Sequence, residues 1–354
     1  MEKEAMVAMS GGVDSSVAAY LAMQAGYVCA GGTMRLCDES LLGQEPVDNV
    51  ADAKAVADRL GIPFHEFNCT DAFRQQVVRP FIEAYEQGLT PNPCIICNQH
   101  LKFDLFLQKA LELGYNYIVT GHYARIKQDP ATGRYLLCKA PDTAKDQSYF
   151  LAGLTQHQLS HTLFPLGELT KEQVRQIAES QGFLNARKRD SQDICFIPDG
   201  DFFAFMQRFT GKAYPAGDFL DLAGNVVGKH SGAVAYTLGQ RKGLGIALGE
   251  PVYVCSKDMA ANTVTVGPNE ALFANALLAD NWNWISIPEL TQPMKFKAKA
   301  RSRHTEQPAT VYPMENGIVK VVFDEPQRAI TPGQAVVLYN GGIVVGSGII
   351  TQVL

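Results

Sequence analysis

The stretch from Met9 to Ser16, MSGGVDSS, lies between a short apolar run and a pattern typical of a helix. The apolar run over residues 5–9 is typical of a buried strand, and apolar residues recur at helical spacing from Val13 to Leu21. A strand, a glycine-rich turn and a helix aim free backbone N–H groups and the positive end of the helix dipole at one place. Adjacent glycines let a bulky anion approach the backbone closely. The stretch therefore predicts a binding site for a phosphate or a pyrophosphate.

The spacing of this loop distinguishes it from two other phosphate loops. It lacks the lysine and the G-x-x-x-x-G-K-[ST] spacing of a Walker A loop, and it lacks the G-x-G-x-x-G of dinucleotide-binding folds. The string SGGVDSS resembles the pyrophosphate loop of the ATP pyrophosphatases, which split ATP between the α and β phosphates to adenylate a substrate. Ordinary strand–helix turns also carry glycine and serine, but the unbroken match at the first strand disfavours that explanation.

The composition is that of an ordinary globular enzyme, with 354 residues, 46% of them hydrophobic, and a net charge of −5. Such a length suggests two or three domains. The acidic balance gives no general attraction to nucleic acid or anionic membrane, so a nucleic-acid site must be a local basic patch. No apolar run reaches membrane-spanning length, and the first strand begins too early to leave room for a signal peptide. We expect a cytoplasmic protein that binds neither membrane nor DNA.

Over residues 1–200, strand-like and helix-like segments alternate. This predicts an α/β catalytic domain with a doubly wound parallel sheet, and the loop resemblance implies the ATP-pyrophosphatase (adenine nucleotide alpha hydrolase-like) type. Ligands of such sheets collect at the carboxyl ends of strands, where the glycine-rich loop, Met34 and Gly121-His122 are predicted to lie. The segment from Ser148 to Gln181 has a helical pattern throughout.

The composition changes after residue 200, where short strands and glycine turns become frequent. We predict a small central domain over residues 201–269 and a C-terminal β-barrel over residues 270–354. Within the barrel, alternate residues from Lys295 to Arg303 are basic and would share one face of a strand. That face either holds a nucleic-acid backbone, with salt-dependent affinity, or is simply solvated.

Two cysteines follow a proline-rich loop in the stretch TPNPCIICN, residues 90–98. Helical spacing resumes near Asn98, so Cys97 is predicted to lie where a helix begins. A helix N-terminus favours the thiolate, which makes Cys97 a candidate nucleophile with Cys94 one turn earlier. Three other interpretations remain: a pair of half-buried small residues, a redox pair, and a zinc site with His100, for which no second C-x-x-C is present.

A third cysteine, Cys195, lies in the stretch RDSQDICFI, residues 189–197. A cysteine with apolar neighbours is more often part of a core. The polar residues Asp190, Ser191 and Asp193 weaken that interpretation and favour a reactive thiol. The basic run 187–189 is either a solvated surface or a set of cations that neutralise phosphates. The eight cysteines are irregularly spaced, which argues against a disulfide framework.

Six motifs occur in order: SGGVDSS, TPNPCIICN, TGHYAR, KDQSYFL, DSQDICFIPDG and TLGQRKGLGI. Together they resemble the bacterial tRNA-specific 2-thiouridylases (tRNA-uridine 2-sulfurtransferases) over essentially the whole chain. The resemblance implies an enzyme that uses ATP and Mg²⁺ to replace O2 of the wobble uridine by sulfur in the tRNAs for lysine, glutamate and glutamine. It also implies a sulfur donor such as a cysteine desulfurase or a relay protein.

The resemblance implies roles for individual residues. Cys97 matches the family's nucleophile and Cys195 its persulfide-carrying cysteine. The implied ATP site comprises Ala8, Met9, Ser10, Gly11, Gly12, Val13, Asp14, Ser15, Met34 and Gly121. The implied tRNA contacts are Asn92, Pro93, Cys94, His122, Lys145, Asp146, Gln147, Arg301, Ser302 and Gln334. Two departures are that Cys94 replaces an aspartate and Ser302 replaces a tyrosine of many members.

The chemistry leaves two routes for the sulfur. Adenylation turns the uracil oxygen into a good leaving group, with Asp14 either holding Mg²⁺ or simply favoured at a helix N-terminus. Sulfur then comes from a persulfide on Cys195, with Cys97 forming a disulfide or acting as nucleophile, or from an iron–sulfur cluster on Cys94, Cys97 and Cys195. Two other functions remain to be compared: a small-molecule ATP-pyrophosphatase ligase and a non-catalytic RNA-binding protein.

Overall fold

The computed structural model describes residues 3–43, 49–188 and 194–354. Its helices are α1 (Val13–Gln24), α2 (Glu39–Leu42), α3 (Asn49–Leu60), α4 (Thr70–Phe73), α5 (Arg79–Glu86), α6 (Pro93–Cys97), α7 (Phe106–Glu112), α8 (Ser148–Leu151), α9 (Gln156–Ser160), α10 (Lys171–Ser180) and α11 (Phe202–Thr210). Two π-helical segments, Arg74–Val78 and Asn98–Leu105, continue neighbouring helices. Short 3₁₀ turns occupy Ala233–Ala235, Asn269–Leu272 and Glu315–Gly317.

The strands form three sheets. They are β1 (Glu4–Ala8), β2 (Val28–Arg35), β3 (Phe64–Asn68), β4 (Tyr117–Val119), β5 (Ala124–Gln128), β6 (Tyr135–Lys139), β7 (Thr162–Leu163), β8 (Gly217–Leu220), β9 (Val226–His230), β10 (Tyr253–Asp258), β11 (Thr263–Gly267), β12 (Phe273–Trp284), β13 (Met294–Lys299), β14 (Gln307–Pro313), β15 (Val319–Arg328), β16 (Ala335–Asn340) and β17 (Ile343–Val353).

The first sheet is parallel, in the order β3-β2-β1-β4-β7. Helices α1, α3 and α10 pack on one face around Val17 and Val56, and α7 covers the other face with Phe106 and Leu107. Apolar cores on both faces are what a doubly wound sheet requires, and the predicted α/β class is confirmed. The helical prediction for residues 148–181 is wrong at β7, because two residues there hydrogen-bond to β4 and extend the sheet.

The third sheet closes into a barrel. Strands β12-β15-β14-β13-β16-β17 are antiparallel neighbours, and β12 also pairs with β17. The predicted C-terminal barrel is confirmed. The hairpin β5–β6 belongs to the N-terminal part of the chain, yet it extends the barrel sheet through the pair Ile343–Cys138. This hairpin ties the N-terminal part of the chain to the barrel.

The central sheet, β10-β11-β8-β9, packs around Phe219, Val254 and Val264. It meets the N-terminal part at Glu86, whose carboxylate accepts hydrogen bonds from Lys212 and from the Tyr214 hydroxyl, both at 2.7 Å. Among the described residues, no helix has the length and apolar character needed to cross a membrane.

Candidate active site

The glycine-rich loop is held in shape by its own polar groups. The Ser15 hydroxyl donates to the Gly12 carbonyl at 2.9 Å and accepts from the Ser10 N–H at 3.2 Å. Gly11 has a φ of 71°, and a Cβ built there would lie 2.5 Å from the carbonyl oxygen of Asn49. Only glycine fits such a position, so the loop is preformed at the N-terminus of α1.

The predicted nucleotide residues gather at the carboxyl edge of the parallel sheet. Ala8, Met34 and Gly121 lie half-buried at or just after the ends of β1, β2 and β4. A Cβ on Gly121 would lie 2.7 Å from the carbonyl carbon of Asp14, so the backbone after β4 touches the start of α1. Met9 and Val13, in contrast, are buried and support the loop from below.

Asp14 is already engaged by two side chains. Its carboxylate accepts both hydrogen bonds of a salt bridge from Lys171, at 2.7 and 2.9 Å, and one from the Tyr123 hydroxyl at 2.9 Å. These contacts support the helix N-terminal role of Asp14 and give no support to a role as magnesium ligand. Lys171 opens α10 behind the cap Thr170, and no sequence motif marks it as a neighbour of the loop.

Helix α6 begins earlier than predicted. It starts at Pro93, and the Asn92 side chain caps it by accepting from the Cys94 N–H at 3.2 Å. The prediction that Cys97 opens the helix is therefore wrong, because an Asn cap followed by proline is a strong start signal. Cys94 occupies the first turn and is exposed, whereas Cys97 is buried.

The three predicted cysteines differ in acidity. Desolvation by neighbouring protein atoms raises the pKa of the buried Cys97 to about 11, and it also raises the pKa of Cys94, although part of that residue is exposed. The pKa of Cys195 is lowered to about 7, first by a hydrogen bond with Cys37, against the effect of burial, with help from the charge of Lys102 and from backbone N–H groups. Of these three thiols, Cys195 is therefore the one that ionises nearest to neutral pH.

Cys37 is a functional neighbour that the sequence analysis missed. It follows the end of β2, and its hydrogen bond with Cys195, followed by burial, raises its own pKa. Cys37 also interacts electrostatically with Cys97, and Cys195 with both Cys94 and Cys97. The position of Cys37 just beyond a strand carboxyl end was the available signal. The residues 190–193 before Cys195 lie outside the described part of the chain.

The described residues contain no ready-made cluster of metal ligands. Within residues 3–43, 49–188 and 194–354, no group of three or more His, Cys, Asp or Glu side chains is arranged to hold a metal ion. The iron–sulfur cluster on Cys94, Cys97 and Cys195 therefore stays a prediction that the positions of these side chains do not support. The same holds for the zinc site with His100.

The barrel reaches the loop that precedes α6. The Gln334 side chain donates to the Thr90 carbonyl at 2.8 Å, and the Thr90 N–H donates to the Pro332 carbonyl at 2.9 Å. Gln334 thus lies close to Asn92, Pro93 and Cys94, which sit at the start of α6. The structure brings these predicted tRNA contacts together beside the cysteines.

A second group of predicted tRNA contacts follows β4 and β6. His122 bonds through Nδ1 to the Thr120 hydroxyl at 2.8 Å, and burial lowers its pKa to about 3, which makes it neutral. Asp146 accepts from the Ser148 hydroxyl at 2.7 Å, and Gln147 accepts from the Tyr123 N–H at 2.9 Å. Asp146 and Gln147 therefore shape the backbone around Lys145.

A third group lies on the barrel. Strand β13 ends at Lys299, so Arg301, Ser302 and Arg303 follow the strand, and the prediction of one basic face through Arg303 is wrong. Lys295 and Lys297 are exposed on the strand. Arg301 donates to the Leu238 carbonyl at 3.0 Å and to the Thr331 hydroxyl, which joins the barrel to the central sheet.

Comparisons with known proteins agree with this architecture. Three family models match the chain: the tRNA methyl transferase HUP domain at residues 3–199, the tRNA methyl transferase PRC-barrel domain at 204–268 and the aminomethyltransferase beta-barrel domain at 274–350. The chain is 47% identical to the tRNA-specific 2-thiouridylase MnmA of Clostridioides difficile, over 100% of this chain and 99% of that protein. It is 48% identical to the MnmA of Acetivibrio thermocellus, over 99% of both.

A further relative, from Halothermothrix orenii, carries the same name and is 47% identical over 98% of both chains. The similarity thus spans the loop, the cysteines and the barrel, and it leaves no part of the architecture unmatched. The chain belongs to the family of the tRNA-specific 2-thiouridylase MnmA.

Proposed function

We propose that this protein is a sulfurtransferase that uses ATP to replace O2 of the wobble uridine of tRNA by sulfur, acting on the tRNAs for lysine, glutamate and glutamine. One observation carries the proposal. A preformed glycine-rich loop of the kind that binds pyrophosphate and a thiol of lowered pKa, Cys195, occur in a chain that is similar over its full length to proteins named as tRNA-specific 2-thiouridylases.

The first half-reaction is adenylation. The uracil oxygen attacks the α-phosphate of ATP, the bond between the α and β phosphates breaks, and pyrophosphate leaves into the loop over residues 10–16. We propose that ATP enters as its magnesium complex, in which the ion offsets phosphate charge. The target base must leave its stack to reach the site, as in other enzymes that act on a base.

The second half-reaction is sulfur transfer. The outer sulfur of a Cys195 persulfide attacks C2 of the uridine, the bond between C2 and the adenylate oxygen breaks, and AMP leaves. The Cys97 thiolate then attacks the Cys195 sulfur, forms a Cys97–Cys195 disulfide and leaves sulfur on C2. A dithiol reductant restores both thiols. The low pKa of Cys195 suits it to receive sulfur first.

Each part of the chain has its own role in this proposal. Residues 1–200 form the catalytic domain, residues 201–269 form the small central domain, and residues 270–354 form the barrel that binds tRNA. The enzyme acts in the cytoplasm. The basic residues Lys295 and Lys297 and the neighbourhood of Lys145 supply charge for the tRNA backbone. The sulfur donor is a cysteine desulfurase or a relay protein.

Reconstituted thiolation tests this function. Purified protein, ATP, a persulfide donor and wobble-uridine tRNA should yield 2-thiouridine and equal amounts of AMP and pyrophosphate. The C97S and C195S variants should form none. ATP–pyrophosphate exchange without tRNA would instead indicate a small-molecule ligase, and full activity of C195S would rule out the persulfide route. Parallel reactions with iron supplied and with iron rigorously removed distinguish the two sulfur routes. Full activity without iron supports the persulfide route, and loss of activity without iron supports the iron–sulfur cluster.

A further inference from the structure

Lys102 is a charged residue that the chemistry above does not use. It lies in the π-helical segment Asn98–Leu105, directly after α6, which carries Cys94 and Cys97. Among the described residues, Lys102 has no hydrogen bond or salt bridge to another side chain. A lysine ammonium offers three donors, so this cation is available to a ligand or to a reacting group.

The widened helix decides where Lys102 points. In an α-helix the residue four positions after Cys97, Leu101, would lie above it on the same face. A π-helix bonds each residue to the fifth one along, so Lys102 follows Cys97 by one turn and lies nearer its face than in an α-helix, while Leu101 stays in the same buried core as Cys97. The wider turn thus adds a cation near Cys97 beside its apolar neighbour, and such π segments are frequent at functional sites.

The charge of Lys102 reaches the whole group of thiols. It acts electrostatically on Cys94, on Cys97 and on Cys195. His122, which also lies within its range, is neutral and adds no second cation. Lys102 is therefore a positive charge shared by the three sulfur atoms.

We propose that Lys102 is a positioning residue for the sulfur-transfer step: its ammonium holds the anionic sulfur of the reacting thiols and of the persulfide beside the target base. This inference rests on the proposed function. It assigns Lys102 no part in adenylation, which occurs at the glycine-rich loop. A positive charge stabilises the sulfur anion before attack and draws the outer sulfur towards α6.

Thiol reagents of different charge test this in the protein without tRNA or ATP. The anionic reagent dithiobis(nitrobenzoate) and the neutral reagent dithiodipyridine both react with cysteine thiolates. Both reaction rates depend in the same way on the fraction of thiolate, so the ratio of the two rates at one cysteine is independent of that fraction. We expect K102Q to lower the anionic-to-neutral rate ratio at Cys195 by about three- to tenfold, the size that one nearby charge gives at a partly solvated site. K102R should restore the ratio.

Two controls make the measurement specific. Cys255, a half-buried thiol in the central sheet, should keep its ratio in every variant. K109Q removes a lysine that pairs with Glu112 on the surface of α7, the helix that follows the π-helical segment, and it should leave Cys195 unchanged. An unchanged ratio at Cys195 in K102Q, or the same change in K109Q, overturns the inference.

Single-turnover kinetics then show whether Lys102 acts in adenylation or in sulfur transfer. K102Q should release pyrophosphate at a rate within about twofold of the unmodified protein, yet form 2-thiouridine at least about tenfold more slowly. Equal slowing of both steps would overturn the assignment to sulfur transfer. Failure of the unmodified protein to thiolate tRNA would refute the proposed function, while the reagent ratios would still decide the role of the Lys102 charge.

Discussion

The thiols of Cys37 and Cys195 interact, although Cys195 follows Cys37 by 158 positions in the chain. The interaction raises the pKa of Cys37 and lowers that of Cys195, so it favours the protonated form of Cys37 and the ionised form of Cys195. Cys37 stands just beyond the carboxyl end of β2, on the same sheet edge as the glycine-rich loop. The same edge of the sheet therefore carries the glycine-rich loop and Cys37, the thiol that lowers the pKa of Cys195.

Replacement of Cys37 by alanine should make Cys195 less acidic. Alkylation of Cys195 by iodoacetamide needs the thiolate, so its rate should rise with pH through about 7 in the unmodified protein. In C37A the midpoint should move upward, and each unit would slow alkylation at neutral pH about tenfold. Mass spectrometry of the labelled peptide measures the rate. A midpoint that stays near 7 would show that Cys37 does not set the acidity, and C255A serves as the matched control.

Removal of Lys171 should destabilise the protein. The Lys171 and Asp14 side chains are 12% and 30% exposed, and K171M leaves the Asp14 carboxylate with the Tyr123 hydroxyl as its side-chain partner among the described residues. We expect a loss of about 1–3 kcal/mol in the free energy of unfolding, measured with denaturant. The exposed pair of Lys54 and Asp58 is the control, because K54M should cost less than about 0.5 kcal/mol. Equal losses in both variants would contradict a special role for the Asp14 pair.

A methyl group at Gly121 should distort the nucleotide site. Its Cβ would lie 2.7 Å from the carbonyl carbon of Asp14 and 2.8 Å from the Ser15 nitrogen, and backbone atoms cannot move aside as a flexible side chain does. We expect G121A to weaken ATP binding by about tenfold or more, because positioning by the loop supplies the affinity. The control is G342A, where nothing lies within 4 Å of the new Cβ. Titration with a non-hydrolysable ATP analogue measures both, and unchanged affinity in G121A would contradict the placement of the loop.

The Q334A variant separates two roles of one residue. If Gln334 mainly holds the loop through the Thr90 carbonyl, Q334A should speed hydrogen exchange over residues 89–97 in the free protein. If Gln334 only contacts tRNA, exchange should stay as it was and the Kd for tRNA alone should rise. We expect faster exchange together with slower thiolation, because the loop leads directly into α6.

The exposed lysines of β13 should set part of the salt dependence of tRNA binding. Each phosphate contact that is lost reduces the slope of log affinity against log salt by about 0.7–0.9. K295Q combined with K297Q should therefore flatten the slope by up to about two. Fluorescence anisotropy across a salt series measures it, with K109Q as the control. An unchanged slope would show that the tRNA phosphates do not contact Lys295 and Lys297.

The fold class followed from local patterns. The alternation of strands and helices, the Thr170 cap of α10 and the hairpin turns at Asn316 and Asn340 all depend on residues that are close in the chain. The predictions failed where distant backbone decided the outcome. Strand β7 forms because β4 offers a free edge, and hairpin β5–β6 joins the barrel because β17 offers another. No local pattern encodes such partners.

The sequence by itself determined the glycine-rich loop, the parallel sheet, the barrel and the identity of Cys97 and Cys195 as candidate reactive thiols, because each depends on residue types at short spacing; the resemblance of the six motifs added the role in sulfur transfer. Only the tertiary structure decided which groups act on them. Lys171 engages Asp14, Cys37 lowers the pKa of Cys195, and a π-helical segment places Lys102 one turn after Cys97. Hydrogen bonds and charges act over a few ångströms in space, and the chain brings these residues together only when the sheet and its helices have packed.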